Sequence, residues 1–181
     1  PVQVADALQR LVNDASEEVL IVSAYLIPTD RLEAILGEAV ARGVRVRILT
    51  NSIRSNNHLT AHSAYRNHIT TLLAQGSELH EMRVDAQHRH VYMLSPVQTK
   101  ALALHAKTLV IDQDKVFIGS ANLDPRSLRL NTEMGLLVES PELNTWVREA
   151  VEPDFANDNA WRLELDEDGS VAWVSRGQVL N

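Results

Sequence analysis

Two β-forming runs joined by one helix-length amphipathic segment constrain this chain more than any other feature. Residues 18–24, EVLIVSA, and 44–50, VRVRILT, are short and rich in β-branched residues, while DRLEAILGEAVARG between them repeats apolar positions at helical spacing. Thr29 or Asp30 can cap that helix, Glu33 stands three beyond Asp30 as a capping-box partner, and Gly43 stops it. A strand, a helix and a strand connected this closely make a β-α-β unit, whose strands run parallel.

The alternation continues on both sides. Residues 4–15, VADALQRLVNDA, predict a helix through Val4, Leu8, Leu11 and Val12. After the polar loop NSIRSNNHL, the segment TAHSAYRNHITTLLAQG predicts a helix closed by Gly76, and SELHEMRV a further strand. Residues 85–103 mix strand-like and polar residues with Pro96 and read as an irregular excursion. Residues 104–111 then form a strand, Asp112-Gln113-Asp114 a tight turn, and KVFIG the return strand. The turn-rich SANLDPRSLRLN leads to the strand EMGLLVES and the helix PELNTWVREAVEPDF, with Pro141 in its first turn. The closing AWRLELDEDGSVAWVS alternates on both sides of Asp168-Gly169, a hairpin signal. The fold class is α/β: a mixed sheet flanked by helices, in a single domain over residues 1–181.

Composition removes several functions. The chain has no cysteine, so disulfides, thiolate metal sites and thiol nucleophiles are out. The longest uncharged stretch, VLIVSAYLIPT, has 11 residues, well short of the roughly 20 that a helix needs to cross a bilayer. No basic region followed by a cleavable apolar stretch opens the chain, and its first residue is Pro1, so a piece of something longer is expected. The net charge of −7 is unfavourable to polyanions, but residues 152–168 hold seven acids against Arg162 alone. Residues 100–130 reverse the sign, with Lys100, Lys107, Lys115, Arg126 and Arg129 against Asp112, Asp114 and Asp124, so a phosphate is acceptable there.

The basic region contains the chain's most specific pattern, His105-x-Lys107-x4-Asp112-x6-Gly119-Ser120-x-Asn122. Chance would produce it with a probability on the order of 10⁻⁶ in a chain of this length. It resembles the HKD signature of the phospholipase D superfamily, and Glu133 falls where that superfamily usually has an acid beside the histidine. The longer stretch GSANLDPRSLRLNTEMGL is more similar to bacterial cardiolipin synthases than to the superfamily's nucleases. VLIVSAYLIP, VRVRILTNS, the AHSAYRNH segment and the final hairpin extend the resemblance over nearly the whole chain.

The resemblance implies a phospholipase D-like half of a pseudo-twofold enzyme, the C-terminal half of a chain with two such motifs. Only one is present here: of Lys100, Lys107 and Lys115, Lys107 alone has a histidine two residues before it. The other catalytic half, or a homodimer mate, is therefore an expected partner. The implied reaction is phosphatidyl transfer in cardiolipin synthesis, from phosphatidylglycerol with a second phospholipid or alcohol. It needs no metal and no cofactor, and hydrolysis is the same route with water as acceptor. Its implied setting is peripheral, on the cytoplasmic face of a bacterial inner membrane.

The chemistry gives each residue type a reason. Attack on a phosphodiester needs a nucleophile, donors for the phosphate oxygens and an acid for the leaving alkoxide. His105 can attack phosphorus through one ring nitrogen while Glu133 holds the other, giving a phosphohistidine. Lys107 supplies a point charge; the Ser120 hydroxyl and Asn122 amide supply directional donors. Gly119 lets the backbone approach the ligand closely. Asp112 begins the turn, too far along the strand for the same phosphate, and either fixes the turn or supports the site indirectly. Arg126 can meet a second phosphate or make a loop-fixing salt bridge, and Asn131 belongs with these supporting residues.

Seven histidines invite a metal reading, with His58 and His62 four apart on a possible helix and His88 and His90 on one face of a possible strand. The acids and cysteines of a zinc set are missing around them, and HLTAH lacks the glutamate of the metalloprotease motif. His62, Tyr65 and Arg66 are surface helix residues or part of a substrate pocket. Tyr25, Pro28, Asn51, Ser52 and Asn56 follow strands at the end where parallel sheets bind ligands. A nuclease is disfavoured by the acidic balance and the scarcity of aromatics, so no nucleic acid is expected. A non-catalytic phospholipid-binding or dimerisation module is the remaining alternative.

Overall fold

Among the described residues, nine strands hydrogen-bond into one mixed sheet in the order β6-β5-β4-β1-β2-β3-β7-β8-β9. The computed structural model describes residues 3–55, 59–97 and 100–180. The centre of the sheet is parallel: β1 (Glu18–Ser23), β2 (Arg45–Asn51) and β3 (Glu78–Met82), with Glu18 opposite Arg45 and Arg47 opposite Glu78. The helices α1 (Val4–Asp14), α2 (Asp30–Ala41) and α3 (Leu59–Ala74) precede these strands in turn. Thr29 caps α2 by accepting from the Leu32 N–H at 3.3 Å, and Gly43 and Gly76 adopt positive φ where α2 and α3 hand over to strands.

Antiparallel strands extend the sheet on both sides. β4 (Lys107–Ile111) lies against β1, with Lys107 opposite Ser23, and β5 (Lys115–Gly119) and β6 (Gly135–Glu139) follow it outward. Beyond β3 lie β7 (Ala160–Leu165), β8 (Val171–Ser175) and β9 (Gln178–Leu180). Alternation along the strands divides the core in two. Val19, Ile21, Val46 and Ile48 pack under α1, α2 and α3, and Leu20, Val22, Leu49 and Val110 face Phe155 and the flank of α5 (Pro141–Val151).

Several boundaries differ from expectation, each for a local reason. Residues 104–106 stay outside β4, because Asn51 takes up the backbone groups of Leu104. The turn-rich stretch contains a short helix, α4 (Pro125–Arg129), started by Asp124, whose carboxylate accepts from the Ser127 N–H at 2.7 Å. The helix expected over 141–155 gives way at Pro153 to a 3₁₀ turn, Glu152–Phe155. His88 and His90 lie in a 3₁₀ turn, Gln87–Val91, rather than a strand. The strand expected to start at Glu133 begins at Gly135, and β9 goes beyond the expected hairpin.

Candidate active site

In an open parallel sheet the loops at the carboxyl ends of the strands meet at one edge, and ligands bind there. Tyr25 follows β1 at that edge, Asn51 ends β2 and Ser52 follows it. Because β4 is antiparallel to β1, its first residue, Lys107, comes to the same edge, and β5 returns the chain to it at Gly119. A parallel bridge between Leu26 and Leu123, with the Ile27 N–H donating to the Leu123 carbonyl at 2.7 Å, ties the loop after β1 to the loop after β5.

His105 precedes β4 and its side chain is exposed. The segment before it is rigidly held. Asn51, 2% exposed, donates from Nδ2 to the carbonyls of Ala24 and Leu104, both at 2.9 Å, and its Oδ1 accepts from the Leu104 N–H at 2.8 Å. The residue read as a candidate ligand group is thus a clamp on the backbone beside His105. The Ala24 N–H adds a bond to the Ala106 carbonyl at 3.0 Å.

Lys107 turns its ammonium back to the His105 carbonyl, at 2.9 Å. Partial burial pulls its pKa down, while the nearby carboxylates of Glu133 and Asp124 oppose that shift. Tyr25 also feels Asp124: burial first, then that charge, raises the phenol's pKa. Asp124 therefore belongs to this cluster, although the sequence reading counts it only among the acids of the basic region.

The β5–β6 register pairs Gly119 with Gly135 and bonds the Ser120 N–H to the Met134 carbonyl at 2.9 Å, which brings Glu133 alongside Ser120. The Ser120 hydroxyl donates to Glu133 Oε2, and the Asn131 amide donates to Oε1 at 3.1 Å. Glu133 is thus engaged with Ser120, Asn131 and the charge of Lys107, not with the His105 ring as expected from the sequence. Asn122 is half-buried, and its Oδ1 has no partner among the described residues. The close approach that Gly119 permits is to the chain itself, since a Cβ there would stand 2.8 Å from the Met134 carbonyl and 3.0 Å from the Phe117 ring.

Asp112 is at the other end of β4, with a positive φ of 48°. Its carboxylate accepts from the N–H groups of Glu17 and Glu18 at 2.8 and 3.0 Å and from Ser16. It pins the β4–β5 turn to the linker before β1. Arg126 is exposed on α4. Pro28 is buried, and Ser52 is bonded to Ser55, hydroxyl to hydroxyl at 3.0 Å. Asn56 and His58 lie outside the described residues. His88 binds Asp154 at 3.0 Å, and no group of three or more potential metal ligands occurs among the described residues. No described helix is long and apolar enough to cross a membrane.

Comparison with known proteins adds a lineage to this geometry. A family model described as "Cardiolipin synthase, PLD-like domain" matches residues 8–155. Cardiolipin synthase C of Escherichia coli (strain K12) is 38% identical over 168 residues, which are 92% of this chain and 35% of that protein. The chain spans about a third of the length of the curated relatives it matches. Among solved structures, Nuc, a phospholipase D family member from Salmonella typhimurium, superposes with a TM-score of 0.60 at 21% identity, covering 84% of this chain and 86% of that one. Phosphatidylserine synthase from Haemophilus influenzae gives 0.62 at 16% identity, covering 83% and 35%. At these identities the likeness is one of fold: a mixed sheet flanked by helices.

Proposed function

The chain belongs to the family of cardiolipin synthase PLD-like domains, and from that premise we propose that it is the C-terminal catalytic half of a phosphatidyltransferase that makes cardiolipin through a phosphohistidine. One observation carries the site assignment: Lys107, Ser120 and Glu133 form a connected polar cluster beside His105, through the Lys107–His105 and Ser120–Glu133 bonds and the charge of Glu133 on Lys107.

In this mechanism a ring nitrogen of His105 attacks the phosphorus of phosphatidylglycerol or a second phospholipid. The bond from phosphorus to the headgroup oxygen breaks, and the departing alkoxide takes a proton from the histidine of the other half. That second histidine then removes the proton of an incoming glycerol hydroxyl, whose oxygen attacks phosphorus and frees His105. Lys107 and the Asn122 amide hold the non-bridging oxygens as charge redistributes, and Ser120 joins them when its single hydroxyl proton turns from Glu133 to the phosphate. Glu133 keeps the Ser120 hydroxyl in place and holds Lys107 charged against its burial, with Asn131 as its second anchor.

The partner is supported by the surface around the cluster. Leu130, Met134, Leu136 and Leu137 are exposed on the loop before β6 and on β6 itself, next to Ser120 and Glu133, where another half would cover them. We place the assembled enzyme peripherally at the cytoplasmic face of the inner membrane, where its lipid substrates are found. The test is lipid product analysis of the full-length protein with phosphatidylglycerol labelled in its phosphorus. Cardiolipin formation, with acid-labile, base-stable label on His105, is expected. Robust turnover by His105→Ala would end the assignment.

A further inference from the structure

The carboxyl ends of β2 and β3 open into a cavity of about 550 Å³ that the cluster at His105 does not use. Arg54 enters from the loop after β2, His62 and Arg66 from α3, and Glu81 and Arg83 from the end of β3. Trp161 of β7 and Trp173 of β8 form the facing wall. With Leu180 of β9, the chain thus brings six elements together around a space of the size that holds small-molecule ligands.

Three polar groups in this lining are buried and short of partners. His62 is 5%, Glu81 2% and Arg83 7% exposed. His62 Nδ1, Glu81 Oε1 and Arg83 Nη1 have no hydrogen-bond partner among the described residues. A buried polar atom left unpaired is costly, so three on one cavity point to a polar ligand rather than a packing fault.

The charge balance selects the ligand's sign. Three guanidiniums face one ionised carboxylate, Asp85, which is already engaged by Arg83 at 2.9 Å and by Arg176 at 3.2 Å. Burial holds Glu81 protonated, its pKa raised to about 8, and burial with the neighbouring Arg66 charge keeps His62 neutral. The lining is therefore net positive at neutral pH. Guanidiniums on three separate elements suit the diverging oxygens of a phosphate. The Arg83 guanidinium lies 4.2 Å from the Trp161 ring centroid, which fixes it against the wall.

The other wall is apolar. Both indoles, together with Ile53, Val84 and Leu180, offer a surface to hydrocarbon. We propose that this cavity binds a phosphate ester with an apolar tail, its phosphate against Arg54, Arg66 and Arg83 and its tail along Trp161 and Trp173. The choice of a phospholipid as occupant rests on the proposed function, whereas the site stands on the cavity alone. It is a second lipid-binding site on the edge that carries His105, and occupying it involves no bond making.

Trp161 and Trp173 report on the site directly, and Trp146 on α5, which is exposed, can be silenced by Trp146→Phe. In that background, dihexanoyl phosphatidylglycerol below its micellar concentration is titrated against this chain. A saturable change in indole emission is expected. Arg54→Gln with Arg66→Gln, at two exposed side chains and checked by thermal melting, should weaken binding at least tenfold. His105→Ala should leave the affinity unchanged; its loss there would put the lipid at His105 and overturn the proposal. Absence of a saturable signal, or equal affinity in the double arginine variant, would do the same. Inorganic phosphate binding as tightly as the lipid would remove the tail from the proposal, and dihexanoylglycerol binding as tightly would remove the phosphate; either result refutes it. Cavity binding that persists while the full-length protein forms no cardiolipin would refute the proposed function and leave this site standing.

Discussion

Glu81 gives the sharpest physical test of the fold around the cavity. It is 2% exposed on β3, and its pKa is pushed from the usual 4.5 up to about 8. Burial is the main cause; a hydrogen bond from the Trp173 indole and the positive charge of Arg66 pull the other way and do not offset it. The unfolded chain releases this proton near pH 4.5, while the native state keeps it to about pH 8. Between those values the native state binds more protons, so stability falls as pH rises, by up to about 1.4 kcal/mol per pH unit. Across the window the loss is on the order of 4–5 kcal/mol. Glu81→Gln keeps the volume and an acceptor for Trp173 and removes the titration. Urea unfolding of both proteins should give free energies within about 1 kcal/mol of each other at pH 5, with the variant ahead by roughly 2 kcal/mol or more at pH 8. Other titrating groups are common to both chains and cancel in the difference. That includes His80, whose pKa burial lowers to about 4 and whose effect falls on the acid side. Parallel stability curves across this range would refute the reasoning.

The clamp, the pin and the histidine-lysine pair allow further tests. Asn51→Ala leaves the Leu104 N–H and carbonyl unpaired in a half-buried setting and should cost roughly 1–3 kcal/mol in urea unfolding. Asp112→Ala should cost about 2 kcal/mol at pH 7, because its carboxylate satisfies backbone donors before β1. Burial acts to raise the Asp112 pKa, but the hydrogen bonds from Glu17, Glu18 and Ser16 outweigh it and leave the value below 3.8. Its contribution is therefore complete above pH 3.8 and lost as pH falls through the lower native value; a variant difference that persists undiminished at pH 2 would contradict this. In the full-length protein the proposed function predicts that His105→Ala abolishes lipid transfer while shifting stability by less than about 0.5 kcal/mol, as expected for an exposed side chain. Lys107→Ala should lower kcat roughly 10²-fold, and a change in KM alone would reassign it to uniform binding.

What the sequence disclosed follows the range of the interactions involved. The β-α-β units and the β4–β5 and β7–β8 hairpins rest on local periodicity and turn residues, so they are legible. Thr29 as a cap and Gly43 and Gly76 as stops belong to the same class. The start of β4 depends on Asn51, 53 residues from Leu104, and no local signal announces that bond. The partners of Glu133 follow from the β5–β6 register, which pairs Gly119 with Gly135 and was not deducible from either strand alone. The short helix α4 did leave a signal, since Asp124-Pro125 is a cap followed by a first-turn proline, but the surrounding turn residues obscured it. The sequence offers His62 and Arg66 as pocket candidates, but the cavity draws on six elements, and only the fold brings His62, Glu81 and Arg83 together.

The spacing of the histidine-lysine motif can be read as a measurement of the hairpin that carries it. β4 and β5 have five residues each, joined by a turn, so the chain leaves the ligand edge at Lys107 and returns to it at Gly119. Five steps of about 3.4 Å place Asp112 roughly 17 Å from Lys107, at the far end. Asp112 thus has a separate task from the residues proposed to meet phosphate: it anchors the remote turn to Ser16, Glu17 and Glu18 and so sets the height of Lys107 and Gly119. Adding one residue to either strand would turn its side chains to the opposite face and separate Lys107 from the Ser120–Glu133 pair. The antiparallel sense of β4 matters equally, since a parallel strand in its place would put Lys107 at the edge away from Tyr25, Asn51 and Asp124. The motif's residues and the intervals between them are therefore one requirement, in which the strand lengths position the chemistry and the aspartate holds those lengths in register.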